Sequence, residues 1–307
     1  MPRSQQTALW AMIAFLLVAP LVMYPVFLMK AMCFALFASA FNLLIGFGGL
    51  LSFGHAMFLG TAGYATAHAA KVWGFAPEFA ILFGTAGAAL LGLVTGLLAI
   101  RRQGIYFAMI TLALAQMIYF FYLQAPFTHG EDGIQAVPRG ALFGVFDLSK
   151  VWAMYGTVFV VFMAGFLLIY RVIHSPFGQV LKAIRENEQR ALSLGYDVNR
   201  YKLLAYVLSA TLAGLAGATK TLVFQLASLT DAHWSMSGEV VLMTLLGGMG
   251  TVFGPVVGAF IIITMENYLA QLGAWVTVAQ GVIFVICVLT FRRGVIGELG
   301  NWLKKPL

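Results

Sequence analysis

The chain has 307 residues, of which 61% are hydrophobic and 9% are charged, and its mean hydropathy is +0.92. Water-soluble domains carry roughly 25% charged residues, so this composition excludes an ordinary soluble domain. The apolar stretches are long and continuous instead of alternating, which favours membrane-spanning helices over a β-barrel. The formal net charge of +7 does not indicate nucleic-acid binding, because Lys and Arg of membrane proteins collect on the cytoplasmic side.

The apolar pattern predicts an all-α, polytopic transmembrane helical bundle, one domain over residues 1–307, with about ten spans. The spans are placed at residues 8–28, 31–47, 55–72, 79–100, 104–124, 152–170, 202–224, 238–250, 254–271 and 275–291. The stretch 238–250 is short, and the count falls by one if it only re-enters the membrane. The first stretch resembles a signal peptide, but a second apolar segment follows at once, so we interpret it as an uncleaved span.

Basic residues set the expected orientation. Placing the amino terminus inside puts most of the 18 basic residues on the cytoplasmic side. Both termini are then cytoplasmic, and the loops 125–150 and 225–237 are extracytoplasmic. Loop 125–150 carries Glu131, Asp132 and Asp147. It is either a docking surface for an external binding protein or a solvated connector.

Glycine and other small residues follow two patterns. Stripes at every fourth position comprise Gly84, Ala88, Gly92 and Gly96, and then Ser209, Ala213 and Gly217. Such stripes let helices pack closely in lipid. Two glycine-rich breaks, at 46–55 and 247–255, interrupt the apolar pattern and share a Gly followed by Phe-Gly at matched offsets. They either line a translocation path or gate, or form tight turns between helices on the cytoplasmic side.

Motifs for catalysis and cofactor binding are absent from the sequence. There is no Gly-x-x-x-x-Gly-Lys-[Ser/Thr] loop for ATP, no His-Glu-x-x-His motif, and no Gly-x-Gly-x-x-Gly spacing in either glycine break. The five histidines are scattered, and Cys33 and Cys287 lie in apolar stretches, so we expect neither a metal site nor a disulfide. We therefore expect no enzymatic activity and no cofactor bound by this chain.

Polar residues and helix-breaking glycines near the spans are the candidates for a translocation path or gate. They are Asn42, Ser52, Gly54, His55, Tyr64, Thr111, Gln116, Gly250 and Gly254. Inside a bundle such residues often only bond neighbouring helices, and that alternative stays open for each. Glu239 and Glu266 are the carboxylates within spans, and they do not form the acid chain that proton-coupled carriers need. Both lie near outer ends of spans, where they either line a vestibule or, as we favour, cap a helix or snorkel. Lys220 also lies near an outer end and can snorkel.

One charged segment, residues 175–195, stands between apolar stretches. Ser175 suits an N-cap, Pro176 the first helical position and Gly195 a helix end. The pattern predicts one amphipathic helix, whose apolar face comprises Phe177, Val180, Leu181, Ile184 and Ala191. Because the polar face carries charges of both signs, protein docking is favoured over a lipid-surface role. Such a helix between spans indicates a transporter subunit driven by a cytoplasmic partner.

This segment resembles the cytoplasmic loop of LivM-type permeases, which are subunits of branched-chain amino acid ABC importers. The likeness rests on residues 175–198 and on three further stretches in the same order, 49–58, 104–116 and 247–258. The resemblance implies that two homologous permease subunits pair in the bacterial inner membrane, surrounded by membrane lipid. Two ABC ATPase subunits would dock below and use ATP, and a periplasmic binding protein would deliver the substrate.

The resemblance also implies that residues 171–201 form a coupling loop. The residues expected to contact the ATPase are Arg185, Glu186, Asn187, Glu188 and Gly195. The implied substrates are branched-chain or other apolar amino acids, with urea, short amides and aromatic acids as alternatives. A self-contained secondary carrier is the alternative mechanism. A purely structural scaffold is disfavoured, because such a role would not require the two glycine breaks.

Overall fold

The computed structural model describes residues 3–269, 275–290 and 294–303. The helices are α1 (Arg3–Val18), α2 (Pro25–Asn42), α3 (His55–Lys71), α4 (Pro77–Ala99), α5 (Ile105–Gln124), α6 (Val151–Ile173), α7 (Pro176–Glu186), α8 (Glu188–Ser193), α9 (Val198–Phe224), α10 (Trp234–Gly247), α11 (Gly254–Leu269), α12 (Trp275–Thr290) and α13 (Gly294–Leu303). A π-helix, Leu43–Phe47, continues α2. Short 3-10 turns lie at Ala19–Leu21, Pro126–Thr128, Gly130–Asp132 and Leu229–Ala232. The strands are β1 (Ile134–Gln135), β2 (Ala141–Leu142), β3 (Phe146–Asp147) and β4 (Leu226–Ala227).

Six helical segments in the described ranges are long and apolar enough to cross a membrane. They are Ser4–Leu21, Pro25–Phe47, Pro77–Ala99, Ile105–Gln124, Val151–Ile173 and Val198–Phe224. The helices α3, α10, α11 and α12 are also apolar but have 14 to 17 residues. The structure therefore confirms an all-α, multi-pass membrane protein. The count of ten spans and the cytoplasmic position of both termini stay predictions, and residues 1–2 and 304–307 lie outside the described residues.

The boundary between the first two spans was predicted in the wrong place. Spans at 8–28 and 31–47 put the turn near Lys30, whereas the first helical segment ends at Leu21 and α2 begins at Pro25. Proline suits the first helical position, so the structure follows the local signal. Lys30 consequently lies inside α2. The error arose because residues 22–24 form a turn that is itself apolar, and hydropathy alone does not separate such a turn from a helix.

The core of the bundle forms where α9 packs against α2, α3 and α4. The predicted small-residue stripes lie in these contacts: Gly214 faces Ala88, and Gly92 faces Ala210. In lipid the hydrophobic effect does not drive helices together, so van der Waals packing at small residues contributes much of their association. Ser209 also forms a hydrogen bond between helices, because its hydroxyl donates to the carbonyl oxygen of Ala40 at 2.6 Å.

Gly217 of α9 lies directly against the backbone of α3. A Cβ at this position would lie 2.9 Å from the carbonyl carbon of Leu59 and 3.0 Å from its Cα. We therefore expect Gly217→Ala to destabilise the chain by about 1–3 kcal/mol, seen as a lower unfolding temperature in detergent. Gly156 of α6 has open space where its Cβ would be, so Gly156→Ala is the matched control. Equal unfolding temperatures for the two variants would contradict the close approach of α3 and α9.

The two loops predicted to be extracytoplasmic meet at one end of the bundle. Strand β1 pairs antiparallel with β4, and the Lys71 ammonium at the end of α3 donates to the carbonyl oxygen of Gln135 at 2.7 Å. Glu131, Asp132 and Asp147 are exposed. The backbone N–H of Ser149 donates to Asp147, which lowers the pKa of that carboxyl. Docking of a binding protein on this loop stays a prediction.

Candidate coupling site

The charged segment 175–195 forms two helices, so the prediction of a single helix was wrong. Ser175 caps α7 as predicted, with its hydroxyl accepting from the backbone N–H of Gly178 at 3.4 Å. Helix α7 then ends, and Asn187 takes an extended conformation with φ −157° and ψ 100°. The Asn187 side chain accepts from the backbone N–H of Arg190 at 3.0 Å and so caps α8. Asparagine favours caps over helix interiors, and this was the local signal for the break.

The apolar face of the segment lies on the bundle, as predicted. Leu181, Ile184 and Ala191 are buried, and Phe177 and Val180 are half-buried. Leu181 packs against the first glycine break, where a Cβ on Gly48 would lie 3.6 Å from it. Ile184, Ala191 and Val198 form a separate apolar cluster. This cluster joins α7, α8 and the start of α9.

The two glycine breaks contact one another at the end of the bundle opposite β1 and β4. Asn42, at the end of α2, joins them. Its Nδ2 donates to the carbonyl oxygen of Thr251 at 2.8 Å, and its Oδ1 accepts from the N–H of Gly250 at 2.9 Å. Asn42 is 2% exposed, and its side chain satisfies backbone groups of Thr251 and Gly250, which are half-buried. Both breaks form turns between consecutive helices. Their position on the cytoplasmic side and their lining of a path stay predictions.

Arg185 of α7 connects the exposed helix pair to both breaks. Its Nη1 donates to the carbonyl oxygen of Gly46 in the first break. The same atom lies 3.4 Å from the position of a Cβ on Gly250, in the second break. The Arg185 stem lies against Gly49, where a Cβ would come within 2.9 Å of Cγ. Arg185 is therefore one side chain through which α7 contacts both turns.

Glu188 holds α8 on the bundle. Its carboxylate accepts from the Lys202 ammonium at 2.6 Å and from Gln103 Nε2 at 2.7 Å. Lys202 belongs to α9 and is 4% exposed, while Gln103 lies in the turn between α4 and α5. Removing one member of a buried ion pair leaves an uncompensated charge, which costs several kcal/mol. Glu188 therefore faces the bundle, in contrast to the outward-facing contact residues.

The outward surface of the pair combines polar and apolar residues. The predicted contact residues Glu186, Asn187 and Gly195 are exposed. Sequence analysis missed the α8 patch, which comprises Leu192, Leu194 and Tyr196 at 48%, 69% and 39% exposure. An apolar patch on a charged loop indicates a protein interface. The sequence indicates this patch, because these three apolar side chains fall outside the periodic apolar face of the segment.

Several predicted path residues surround the first break. The Ser52 hydroxyl accepts from the N–H of Gly54 at 3.2 Å, and the Thr111 hydroxyl accepts from the N–H of Phe53 at 3.2 Å. His55 Nε2 lies 2.8 Å from the Ser209 hydroxyl. Since that hydroxyl donates to Ala40, Nε2 carries the proton. These residues bond neighbouring segments, which is the alternative that the sequence left open.

The remaining candidates lie apart. Gly254 begins α11, and its N–H donates to the Thr251 hydroxyl at 3.1 Å, so it adjoins Asn42 and Gly250. Tyr64 is stacked on Tyr122 with ring centroids 4.7 Å apart. Gln116 is half-buried. The structure therefore groups Asn42, Gly250 and Gly254 with Arg185, and it places Tyr64 and Gln116 elsewhere.

Known proteins resemble this chain over most of its length. The family model described as branched-chain amino acid transport system / permease component matches residues 23–290. The LivM permease protein of the high-affinity branched-chain amino acid transport system of Escherichia coli K12 is 24% identical over 296 residues, which is 89% of this chain and 70% of LivM. The ribose import permease protein RbsC of Bacillus subtilis 168 is 30% identical over 239 residues, which is 72% of this chain and 70% of RbsC.

The autoinducer 2 import system permease protein LsrC of Klebsiella pneumoniae is 29% identical over 201 residues, covering 61% of this chain and 55% of LsrC. No solved structure matches. These relatives are transport subunits and not enzymes. The family match extends from α2 to α12 and includes both glycine breaks and the α7–α8 pair. The chain therefore belongs to the family of branched-chain amino acid transport system permease components.

Proposed function

We propose that this chain is the membrane permease subunit of an ATP-driven ABC importer. The observation that carries the proposal is Arg185, which belongs to an exposed helix pair yet bonds one glycine break and contacts the other. Movement of α7 would displace the turns that join α2 to α3 and α10 to α11. Rigid-body rearrangement of packed helices is a common way to switch between two states. A secondary carrier that works without an ATPase does not need a connection between an exposed helix pair and the turns of the bundle.

The partners follow from this role. Two ABC ATPase subunits bind the α7–α8 pair and hydrolyse ATP, while this chain supplies no ATPase site and holds no cofactor. A second homologous permease subunit completes the path, and a periplasmic binding protein delivers the solute at the opposite end. ATP binding closes the ATPase pair, moves α7 and α8 as a lever, and turns the bundle from outward-open to inward-open. The assembly lies in the bacterial inner membrane.

We propose branched-chain or related apolar amino acids as the substrates. The match to LivM over 89% of the chain supports this class. Ribose and fructose import permeases are also among the relatives, so membership of the family is compatible with sugar transport as well. Uptake of leucine and of ribose by the assembled transporter separates the two classes.

The α8 patch provides the test of partner binding. Replacing both Leu192 and Leu194 with Ser should lower the recovery of the ATPase with the tagged chain at least ~10-fold, because burial of apolar surface is the main favourable contribution to most protein–protein association. Mild-detergent purification from the native host, followed by mass spectrometry, measures this recovery. Val145→Ser removes an apolar side chain with 76% exposure from the opposite end and should leave recovery unchanged. Full recovery with the double variant would contradict docking at the patch.

The secondary-carrier alternative has its own test. The purified chain alone is reconstituted in liposomes, and solute uptake is measured without ATP. We expect no uptake above that of empty liposomes. Saturable uptake under these conditions would contradict the importer proposal.

A further inference from the structure

Charged residues from several segments meet inside the bundle near the end that carries β1 and β4. Lys30 of α2 pairs with Glu266 of α11 at 3.0 Å, and Lys220 of α9 pairs with Asp231. Both ammonium groups lie over the ring of Phe34, at 5.8 Å and 5.4 Å from its centroid. The two ion pairs therefore meet at one aromatic ring. The sequence did not predict that Lys220 and Glu266 are paired with charged residues of other segments.

Glu239 of α10 adds a third carboxylate to these two pairs. The charges of Lys30, Lys220, Asp231 and Glu266 all act on it, yet it makes no hydrogen bond or salt bridge within the described part of the chain. Three carboxylates thus face two ammonium groups. Charges inside a membrane protein are costly and mark functional positions. We call Lys30, Lys220, Asp231, Glu239 and Glu266 the outer charge cluster.

A second observation points to a ligand beside this cluster. Tyr64 of α3 is 1% exposed, and its hydroxyl has no hydrogen-bond partner among the described residues. The hydroxyl lies close enough to Asp231 to experience its charge. A buried hydroxyl without a partner costs free energy unless a ligand satisfies it. The cluster therefore combines an unpaired carboxylate with an unpaired hydroxyl.

We propose that the outer charge cluster binds the charged end of a zwitterionic solute, an amino acid, during its passage. This inference rests on the proposed transport function. The ammonium group of the solute binds the Glu239 carboxylate, and the carboxylate of the solute binds the ammonium of Lys30 or Lys220 and the Tyr64 hydroxyl. A zwitterion adds one charge of each sign, so each of its charged groups meets an opposite charge and the excess of one carboxylate in the cluster does not change. A neutral sugar brings no cation to Glu239 and leaves that carboxylate without an opposite charge.

The test compares two substitutions of Glu239 in the complete transporter, reconstituted with its ATPase and binding protein. Glu239→Gln keeps the shape and removes the charge, whereas Glu239→Asp keeps the charge and shortens the side chain. We expect leucine uptake per ATP hydrolysed to fall at least ~10-fold in Glu239→Gln, about 1.4 kcal/mol, and to fall less in Glu239→Asp. Glu78→Gln is the matched control, since Glu78 lies at the outer end of α4 outside the cluster, and it should transport like the wild type.

The outcomes separate this inference from the proposed function. A smaller loss in Glu239→Gln than in Glu239→Asp would show a packing role and overturn the inference. ATP-dependent uptake of ribose but not leucine by the wild type would also overturn it, while leaving the importer function intact. Failure of the wild-type chain to assemble with any ATPase would overturn the proposed function itself. Retained ATP hydrolysis with lost leucine uptake in Glu239→Gln is the result that we expect.

Discussion

Arg185→Gln is expected to reduce solute uptake per ATP hydrolysed by about ten- to a hundredfold while the ATPase stays bound. The substitution removes the bond between the guanidinium and the Gly46 carbonyl oxygen. A hydrogen bond to a charged group contributes about 1.5–3 kcal/mol, which corresponds to this range. The α8 patch and the Glu188 anchor are untouched, so docking persists. ATP hydrolysis would then continue without moving the turns.

The measurement pairs leucine uptake with ATP hydrolysis in proteoliposomes that hold the complete transporter. Arg171→Gln is the matched control, because Arg171 is exposed at the end of α6 and contacts neither glycine break. It should couple like the wild type. If Arg185→Gln transported normally, the bond to Gly46 would be incidental. If it lost the ATPase altogether, Arg185 would belong to the docking surface, as the family resemblance first suggested.

Asn42→Ala is expected to have the largest effect on stability. It leaves the N–H of Gly250 and the carbonyl oxygen of Thr251 without their buried partner. An unsatisfied buried backbone group costs about 1–3 kcal/mol, so we expect the loss of both bonds to cost a total of about 2–6 kcal/mol. Thermal unfolding of the purified chain in detergent measures it. The contact between the two glycine breaks would be lost, and uptake by the assembled transporter should fall with it.

Two further variants sharpen this prediction. Asn199→Ala removes an exposed asparagine at the start of α9 and should unfold at the wild-type temperature. Asn42→Asp keeps the oxygen that accepts from Gly250 but replaces the donor to Thr251 with a second oxygen and a buried charge, so its unfolding temperature should also lie below that of the wild type. Indistinguishable unfolding of Asn42→Ala and Asn199→Ala would show that Asn42 does not join the breaks.

Local patterns in the sequence predicted local features well. The Ser175 cap, the buried face of Leu181 and Ile184, and the close packing at Gly217 all follow from residue type and spacing within a helix. The break at Asn187 was equally local, and capping preference would have found it. The apolar turn at residues 22–24 carried no polar signal, which is why the first boundary was misplaced.

The contacts that define the site are long-range, and spacing within a helix does not identify them. Arg185 and Gly46 are 139 residues apart, and Lys30 and Glu266 are 236 residues apart. A periodic pattern shows which face of a helix is buried but not which helix covers it. Charged residues in spans were accordingly interpreted one at a time, as snorkelling side chains, because each pairing partner lies on another helix.

The π-helix at Leu43–Phe47 gives the end of α2 that precedes the first glycine break one extra residue. A π turn contains one residue more than an α turn, and its return to α geometry would advance the chain by about 1.5 Å and rotate it by about 100°. Gly46, which accepts the bond from Arg185, lies within this segment, whereas Asn42 ends the α-helical part before it. Under the proposed mechanism, a movement of α7 would be taken up as a single register step beyond Asn42. The turn that follows α2 would then move between two positions instead of bending continuously.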